Sequence, residues 1–204
     1  MKRWDIINYL IKQNNYLNYL EIGVRDPNDT FNRINIEHKD GVDPISQGPE
    51  INYPITSDEF FKSIKEHTDI KYDIIFVDGL HTHKQALMDI KNSLEHLKKD
   101  GCIVIHDCNP PTEWHQRPEK DYNGHGAWNG TVWKAFVELR CTYANLEMYV
   151  VDTDWGCGII RFGHQKIWEC DIPDNCLKYS YLETNRNELL NLINIQKFQE
   201  IYKK

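Results

Sequence analysis

Apolar and polar positions follow two rhythms along this chain, one of strands and one of helices. The clearest strand is "YDIIFVD" at 72–78, a continuous apolar run of the kind a parallel sheet buries on both faces. A second run, "CIVIHD" at 102–107, has the same form, and both break off into histidine and aspartate. Upstream, "YLNYLEIG" predicts a short strand ending at Glu21 to Gly23, and "INIEHKDGVDP" predicts another that finishes on Asp43 before Pro44. Downstream, "LEMYVVDT" and "CGIIRFG" predict two strands joined by "DTDWG", a connection short enough for a hairpin.

Helical spacing fills the intervals. Within an N-terminal segment at 1–16, residues 1–14 place Trp4, Ile7, Asn8 and Ile11 on one helical face. A short helix is expected at 30–34. Ser57 has the chemistry of an N-cap for "DEFFKSIKEH", with Phe60, Phe61 and Ile64 inward. Residues 84–98 bring Leu87, Ile90, Leu94 and Leu97 to one face, and "KKDG" predicts a helix end with Gly101 just beyond it. Asn129 is expected to cap a helix carrying Val132, Trp133, Phe136, Val137 and Leu139. Residues 185–202 predict a last helix within a helical tail at 178–204. The segment 110–130, rich in Pro, Gly, Asn and His, reads as irregular. Loops of that length are usually functional or disordered, and Trp114 and Trp128 speak against disorder. The alternation predicts one α/β domain over 1–204, a doubly wound, mostly parallel sheet with an antiparallel C-terminal hairpin.

Composition narrows the classes. A chain of 204 residues with 40% hydrophobic content suits one domain with a sizeable core. Its net charge of −7 argues against a general nucleic-acid binder. No apolar run approaches the roughly 20 residues that cross a bilayer, and Asp5 and Asn8 interrupt the N-terminal stretch too early for a signal peptide. Six cysteines without a C-x-x-C pair predict reduced thiols in a cytoplasmic protein, with neither a zinc site nor a disulfide framework. The sequence leaves room for a homo-oligomer.

In open α/β sheets, ligands bind beyond the carboxyl ends of the strands. That geometry gathers "LEIGVRD", "GVDP", "VDGLHTH" and "IHDCNP" into one cleft. Gly23 either lets the backbone approach a ligand or simply turns the chain, and the G-x-G-x-x-G of a dinucleotide site is absent. Asp43 either accepts from a ribose diol or serves the turn before Pro44.

"YLEIGVRDPNDTF", "GVDP", "FVDGLHTHKQALMDIKNSLEHLKKDGCIVIHDCNPP" and "WNGTVWKAF" resemble the class I S-adenosylmethionine-dependent methyltransferases over about residues 17–163. More narrowly, they resemble small metal-dependent-type O-methyltransferases of sugar and natural-product tailoring. The first motif departs from the commoner E-x-G-x-G-x-G, with Arg25, Asp26 and Pro27 in place of glycines. The resemblance implies a Rossmann-like seven-stranded sheet and S-adenosyl-L-methionine as cofactor. Glu21 and Gly23 would lie near its methionine part, Asp43 on its ribose, and Ser57 and Asp58 near its adenine. For Ser57 and Asp58 a plain helix start is the alternative.

Asp78 and Asp107 end adjacent strands, and two converging carboxylates suit Mg²⁺. Metal-dependent relatives carry another acid or amide where this chain has Cys108, one position before Asn109, and thiolate is a poor Mg²⁺ ligand. A histidine-bearing site would favour another divalent cation. Without an ion, the two acids would cap turns and bond water or the cofactor amine. His81 is the first choice for a general base and His106 the second, with His83 a bystander at a helix start; structural histidines are the alternative. Over the cleft, a lid would stack an acceptor on Trp114, Tyr122 or Trp128 and hydrogen-bond it through His115, Arg117 or Asn129; a loop held by its own aromatics is the alternative.

The expected function is O-methylation of a sugar, glycan or other small polar metabolite, with no nucleic acid and no membrane span. Three other classes compete. An NAD-linked oxidoreductase lacks its fingerprint, and a metal-dependent hydrolase leaves Glu21, Gly23 and Asp43 unexplained. A non-catalytic nucleotide-binding protein would not need the histidines.

Overall fold

A computed structural model of the chain describes residues 1–45, 48–49, 51–67, 69–170 and 173–203. Seven strands form one sheet: β1 (Asn18–Ile22), β2 (His38–Val42), β3 (Tyr72–Val77), β4 (Leu97–Ile105), β5 (Leu146–Val151), β6 (Cys157–Phe162) and β7 (Leu192–Ile193). Their order is β2-β1-β3-β4-β6-β5-β7. Strands β2, β1, β3 and β4 are parallel, β6 runs antiparallel between β4 and β5, and β7 closes the far edge parallel to β5. The expected doubly wound sheet with its antiparallel hairpin is therefore present.

Side chains alternate across a strand, and both faces of this sheet are covered, which explains the unbroken apolar runs. Leu20, Ile22, Ile75, Val77, Ile103 and Ile105 face the layer of α2 (Ser57–Ile64), α3 (His83–Glu95), α4 (Val132–Thr142) and α6 (Tyr179–Leu189). Tyr19, Ile74, Phe76, Cys102 and Val104 face α1 (Arg3–Asn14) and α7 (Ile195–Tyr202). One further short helix, α5 (Pro173–Cys176), precedes α6.

Several local expectations shift by a residue or more. Helix α1 buries Ile6, Ile7, Leu10 and Ile11. Asn8 stands at the edge of that face and ties Arg33 O and Asn35 N to the helix (both 2.8 Å). The helix expected at 30–34 is a 3₁₀ turn, Phe31–Arg33. Thr56, not Ser57, caps α2: its hydroxyl accepts from Glu59 N, and Glu59 reaches back to Thr56 N. Helix α3 stops at Glu95, because Tyr72 N already donates to His96 O and Leu97 pairs with Tyr72 in the sheet. "KKDG" thus bulges within β4, and Gly101 is needed there, since a Cβ would stand 2.6 Å from Asp73 O.

Thr131, not Asn129, occupies the cap position of α4. The helix expected at 185–202 is broken by Asn191 at φ +46°, which turns the chain into β7 before Asn194 caps α7. The reduced-thiol expectation fails at one pair. Cys170 and Cys176 form a disulfide across a Cα–Cα distance of 6.4 Å, while Cys102, Cys108, Cys141 and Cys157 remain free. Among the described residues, no helix is long and apolar enough to cross a membrane.

The strand order reverses at β1 and β3, the place where such sheets open a crevice. There Gly23 takes φ +91°, and a Cβ would lie 2.3 Å from Asp78 O. The glycine serves the close passage of two strand-end loops. We therefore expect Gly23→Ala to lower stability by at least about 1–3 kcal/mol from backbone conformation alone. Urea denaturation checks this, and a midpoint equal to wild type would exclude the constraint.

Candidate active site

The sheet ladder continues one residue past β3 and β4. Asp78 N donates to Ile22 O (2.9 Å) and His106 N to Val77 O (3.1 Å), so both side chains start from fixed backbone. Asp107 then adopts φ +62°, a left-handed conformation that aspartate tolerates better than most residues. Beyond it, Cys108 N and Asn109 N donate to Gly156 O and Trp155 O (3.0 and 2.8 Å), binding the β4 end to the β5–β6 turn.

His81 arrives from the turn before α3. Its carbonyl accepts from Thr131 N (2.8 Å), and a Cβ on Gly130 (φ +59°) would lie 2.0 Å from that carbonyl oxygen. The imidazole sits between two acids, with Nδ1 3.1 Å from Asp107 Oδ2 and Nε2 3.4 Å from Asp78 Oδ1. His106 Nδ1 faces the same pair at 3.3 Å (Asp78) and 3.4 Å (Asp107), while its Nε2 lies 3.6 Å from Asp154 Oδ2. Arg3 joins them through Nη1, 3.3 Å from Asp154 Oδ2 and 3.4 Å from His106 Nε2. Asn129, buried, donates from Nδ2 to Asp107 Oδ1 (2.7 Å), leaving Asp107 Oδ2 for the histidines.

These contacts set the charge states. Burial pushes the Asp78 carboxyl up, but His106 and His81 outweigh it and hold the group below the usual carboxylate range. Burial likewise opposes charge on His81 and His106, yet their carboxylate neighbours raise both imidazoles, His106 strongly. Asp154 is depressed despite its burial, by His106, the Arg3 amide and Lys2. Glu21 behaves oppositely. Burial raises its carboxyl to about 8, although the Tyr19 hydroxyl donates to it.

A cavity of about 900 Å³ opens over these groups. Its wall includes Glu21, Gly23, Asp43, Ser57, Asp58, Asp78, His81, His106, Asp107, Trp128 and Asn129, so most residues singled out from the sequence meet in one space. Asp43 also serves its own turn, accepting from Arg25 N (2.9 Å) and Ile45 N (2.7 Å). Ser57 and Asp58 are joined by Gln85 Nε2 (3.2 and 3.0 Å).

On the lid, Trp128 stacks on Tyr122 (4.3 Å between centroids) and on His81 (5.2 Å). Trp114 and His115 stand off the wall. Trp114 lies against Arg117 (3.6 Å to the ring centroid), and His115 packs on Trp155, which does line the cavity. His83 is outside the site, paired with Glu138 at 2.9 Å.

Cys108 is fully buried beneath Gly158, whose Cβ would stand 2.8 Å from its sulfur, and burial pushes its thiol up. It is not a donor to the cluster. Asn109 is likewise engaged elsewhere, donating to Asp152 Oδ1 (3.0 Å) and accepting from Arg186. Asp78, His81 and Asp107 each offer one ligand atom, all within 4.8 Å of one another.

Sequence reasoning missed Arg3, Asp154 and Trp155. A signal existed for the last two. Because β6 runs antiparallel to β4, the "DTDWG" turn must fall at the carboxyl end of β4, beside Asp107. Nothing in the helical pattern marks Arg3.

The family model described as a methyltransferase domain matches residues 19–108, from β1 to just past Asp107. No curated protein sequence matches the chain. Among solved structures, the fold is similar to the O-methyltransferase from Bacillus cereus in complex with SAH. That protein is 12% identical, with TM-score 0.55 over 78% of this chain and 79% of that one. Cofactor-bound Rv0187 from MTB is similar at 9% identity, with TM-score 0.54 over 81% and 82%. The sheet is thus the Rossmann-like fold of methyltransferases.

The charge states give stability a definite pH dependence. His81 and His106 are raised in the fold, so their contribution is complete below about pH 6.5 and fades as pH rises through their folded values. Glu21, raised to about 8, acts in the same direction. Asp78 and Asp154, being depressed, contribute above about pH 3.9 and lose that only in acid. Thermal midpoints should therefore fall between about pH 6 and pH 9, and more gently in His106→Asn. Parallel slopes for the two proteins would contradict the assignment.

Proposed function

We propose that the chain is an S-adenosylmethionine-dependent methyltransferase acting on an oxygen of a sugar or another small polar metabolite. One observation carries this reading. The cavity of about 900 Å³ brings Glu21, Gly23, Asp43, Ser57 and Asp58 into one space with Asp78, His81, Asp107 and Trp128. The first group receives the cofactor, with Glu21 and Gly23 toward its methionine half, Asp43 toward the ribose and Ser57 and Asp58 toward the adenine. The second group receives the acceptor.

When bound, the cofactor supplies a methyl group on a sulfonium, activated for in-line displacement. What remains for the protein is placement of the reactants and removal of one proton. His81, once it has lost its own proton, takes the acceptor proton. It faces the cavity, its ring orientation is fixed by Asp78, Asp107 and Trp128 O, and His106 lies deeper. Trp128 and Tyr122 line the cavity as a stacked pair, an aromatic wall beside the acceptor, with Trp114 and His115 extending the aromatic surface outward through Trp155.

The donor set also fits a divalent cation. Asp78 and Asp107 would hold it, with His81 left as the base, and beside them the buried Asn129 Oδ1 has no hydrogen-bond partner among the described residues. A bound ion would lower the pKa of the acceptor hydroxyl.

Three measurements test this. S-adenosylhomocysteine should raise the thermal midpoint and NAD should not; a flat response to both removes the methyltransferase reading. His81→Ala should reduce turnover by roughly 100-fold or more while cofactor affinity stays close to wild type. Equal loss of both would make His81 structural. Activity should disappear on chelation and return with Mg²⁺ or Mn²⁺, and full turnover in chelator would take the ion out of the mechanism.

A further inference from the structure

The cavity wall is acidic. Glu21, Asp43, Asp58, Asp78 and Asp107 line it, and the only arginine or lysine side chains among the described lining residues are Arg3 and Arg25. Arg25 is 72% exposed and paired with Asp29 at 3.1 Å. Arg3 is only 20% exposed and is held from both ends. Its backbone N donates to Asp154 Oδ2 (2.9 Å), its Nε to Thr30 Oγ1 (2.9 Å), and its Nη1 to Asp154 Oδ2 (3.3 Å). Nη2 has no hydrogen-bond partner among the described residues. A guanidinium presents five donors in a rigid fork, so this arrangement leaves the two on Nη2 unused on a residue that lines the cavity.

An amino-acid headgroup carries one ammonium and one carboxylate. Glu21 offers a carboxyl oxygen to the first, while the ionised carboxylates on this wall repel the second. Arg3 is the restrained guanidinium there. We infer that Arg3 binds the α-carboxylate of an amino-acid-bearing nucleoside, through Nη2, beside Thr30. This rests on the proposed use of S-adenosylmethionine and adds the residue that distinguishes it from nucleosides lacking the amino-acid half. Asp154 acts as a positioning residue, because it fixes Arg3 at both its amide and its fork.

The test is the affinity of wild type, Arg3→Met and Arg3→Lys for S-adenosylhomocysteine and for 5′-methylthioadenosine, measured by calorimetry. Arg3→Met keeps the apolar stem and should weaken S-adenosylhomocysteine by roughly 10- to 100-fold, the worth of a charge-assisted hydrogen bond. Its affinity for methylthioadenosine, which has no carboxylate, should equal that of wild type. Arg3→Lys keeps the charge without the fork and should lose several-fold, for S-adenosylhomocysteine alone. If Arg3→Met unfolds by circular dichroism, Arg3→Lys carries the comparison.

Equal losses for both ligands in a folded variant would overturn the inference and make Arg3 structural. Unchanged or tighter binding of S-adenosylhomocysteine would also overturn it, the latter meaning that Arg3 faces the ammonium. Wild type that binds neither nucleoside would instead sink the methyltransferase reading, and this inference with it.

Discussion

Three carboxylates gathered at one end of a sheet cannot remain ionised without nearby positive charge. Asp78, Asp107 and Asp154 are that problem here, with side chains only 17%, 6% and 2% exposed. Their counter-charges arrive from separate parts of the chain: His81 from the turn before α3, His106 from just past β4, and Lys2 and Arg3 from the start of α1. Removing one member would leave a buried charge uncompensated, a large cost compared with the net worth of the pair. The N-terminal helix, two central strands and the terminal hairpin are thereby locked into one arrangement around the cavity.

The backbone shows what that arrangement demands. Asp107 takes a left-handed turn so that its carboxylate reaches back toward Asp78. The β5–β6 turn carries Asp154, Trp155 and Gly156 all at positive φ, a sharp reversal that brings Asp154 under His106. Conformations of this kind persist where surrounding contacts over-determine them, and they cluster at functional sites. Cys108 belongs to the same packing. With a fully buried sulfur against Gly158, the position next to Asp107 works as part of the core, and the buried polar neighbour of Asp107 comes from Asn129 on the lid.

Much of the fold was legible because burial on both faces writes itself into β1, β3, β4, β5 and β6 as apolar runs. Where packing did not dictate the pattern, reading failed. Leu97 has the spacing of a fourth helical turn, yet a backbone bond from Tyr72 takes the chain into the sheet just before it. Leu192–Ile193 is too short for any periodicity to mark, and only pairing with β5 makes it a strand. At the site, residues at parallel strand ends were recoverable from topology alone, which is why Glu21, Asp43, Asp78 and Asp107 were found. Arg3 and Asp154 were not, since a charged residue at a helix start or in a hairpin turn has an ordinary solvent-facing explanation. Three-dimensional charge balance, invisible in one dimension, gives them another.

The lid has its own consequence. Its first residues are pinned by Arg186 and Tyr179, which donate to Pro110 O and Pro111 O, and its last by the Gly130–Thr131 contact with His81. Between these clamps it is largely self-sufficient, with Arg117 bonding the carbonyls of Trp114, His125 and Ala127 and Trp128 bonding Arg117 O. A segment fixed at both ends and internally cross-braced behaves as an exchangeable cassette. Its end is tied to the charge cluster beneath, Trp128 O at His81 and Asn129 at Asp107, so the stretch before them is the part that can be exchanged with the cluster left in place. Under the proposed function, that stretch would tune the choice of acceptor, while the groups that act on it stay with the strand ends, Trp128 and Asn129.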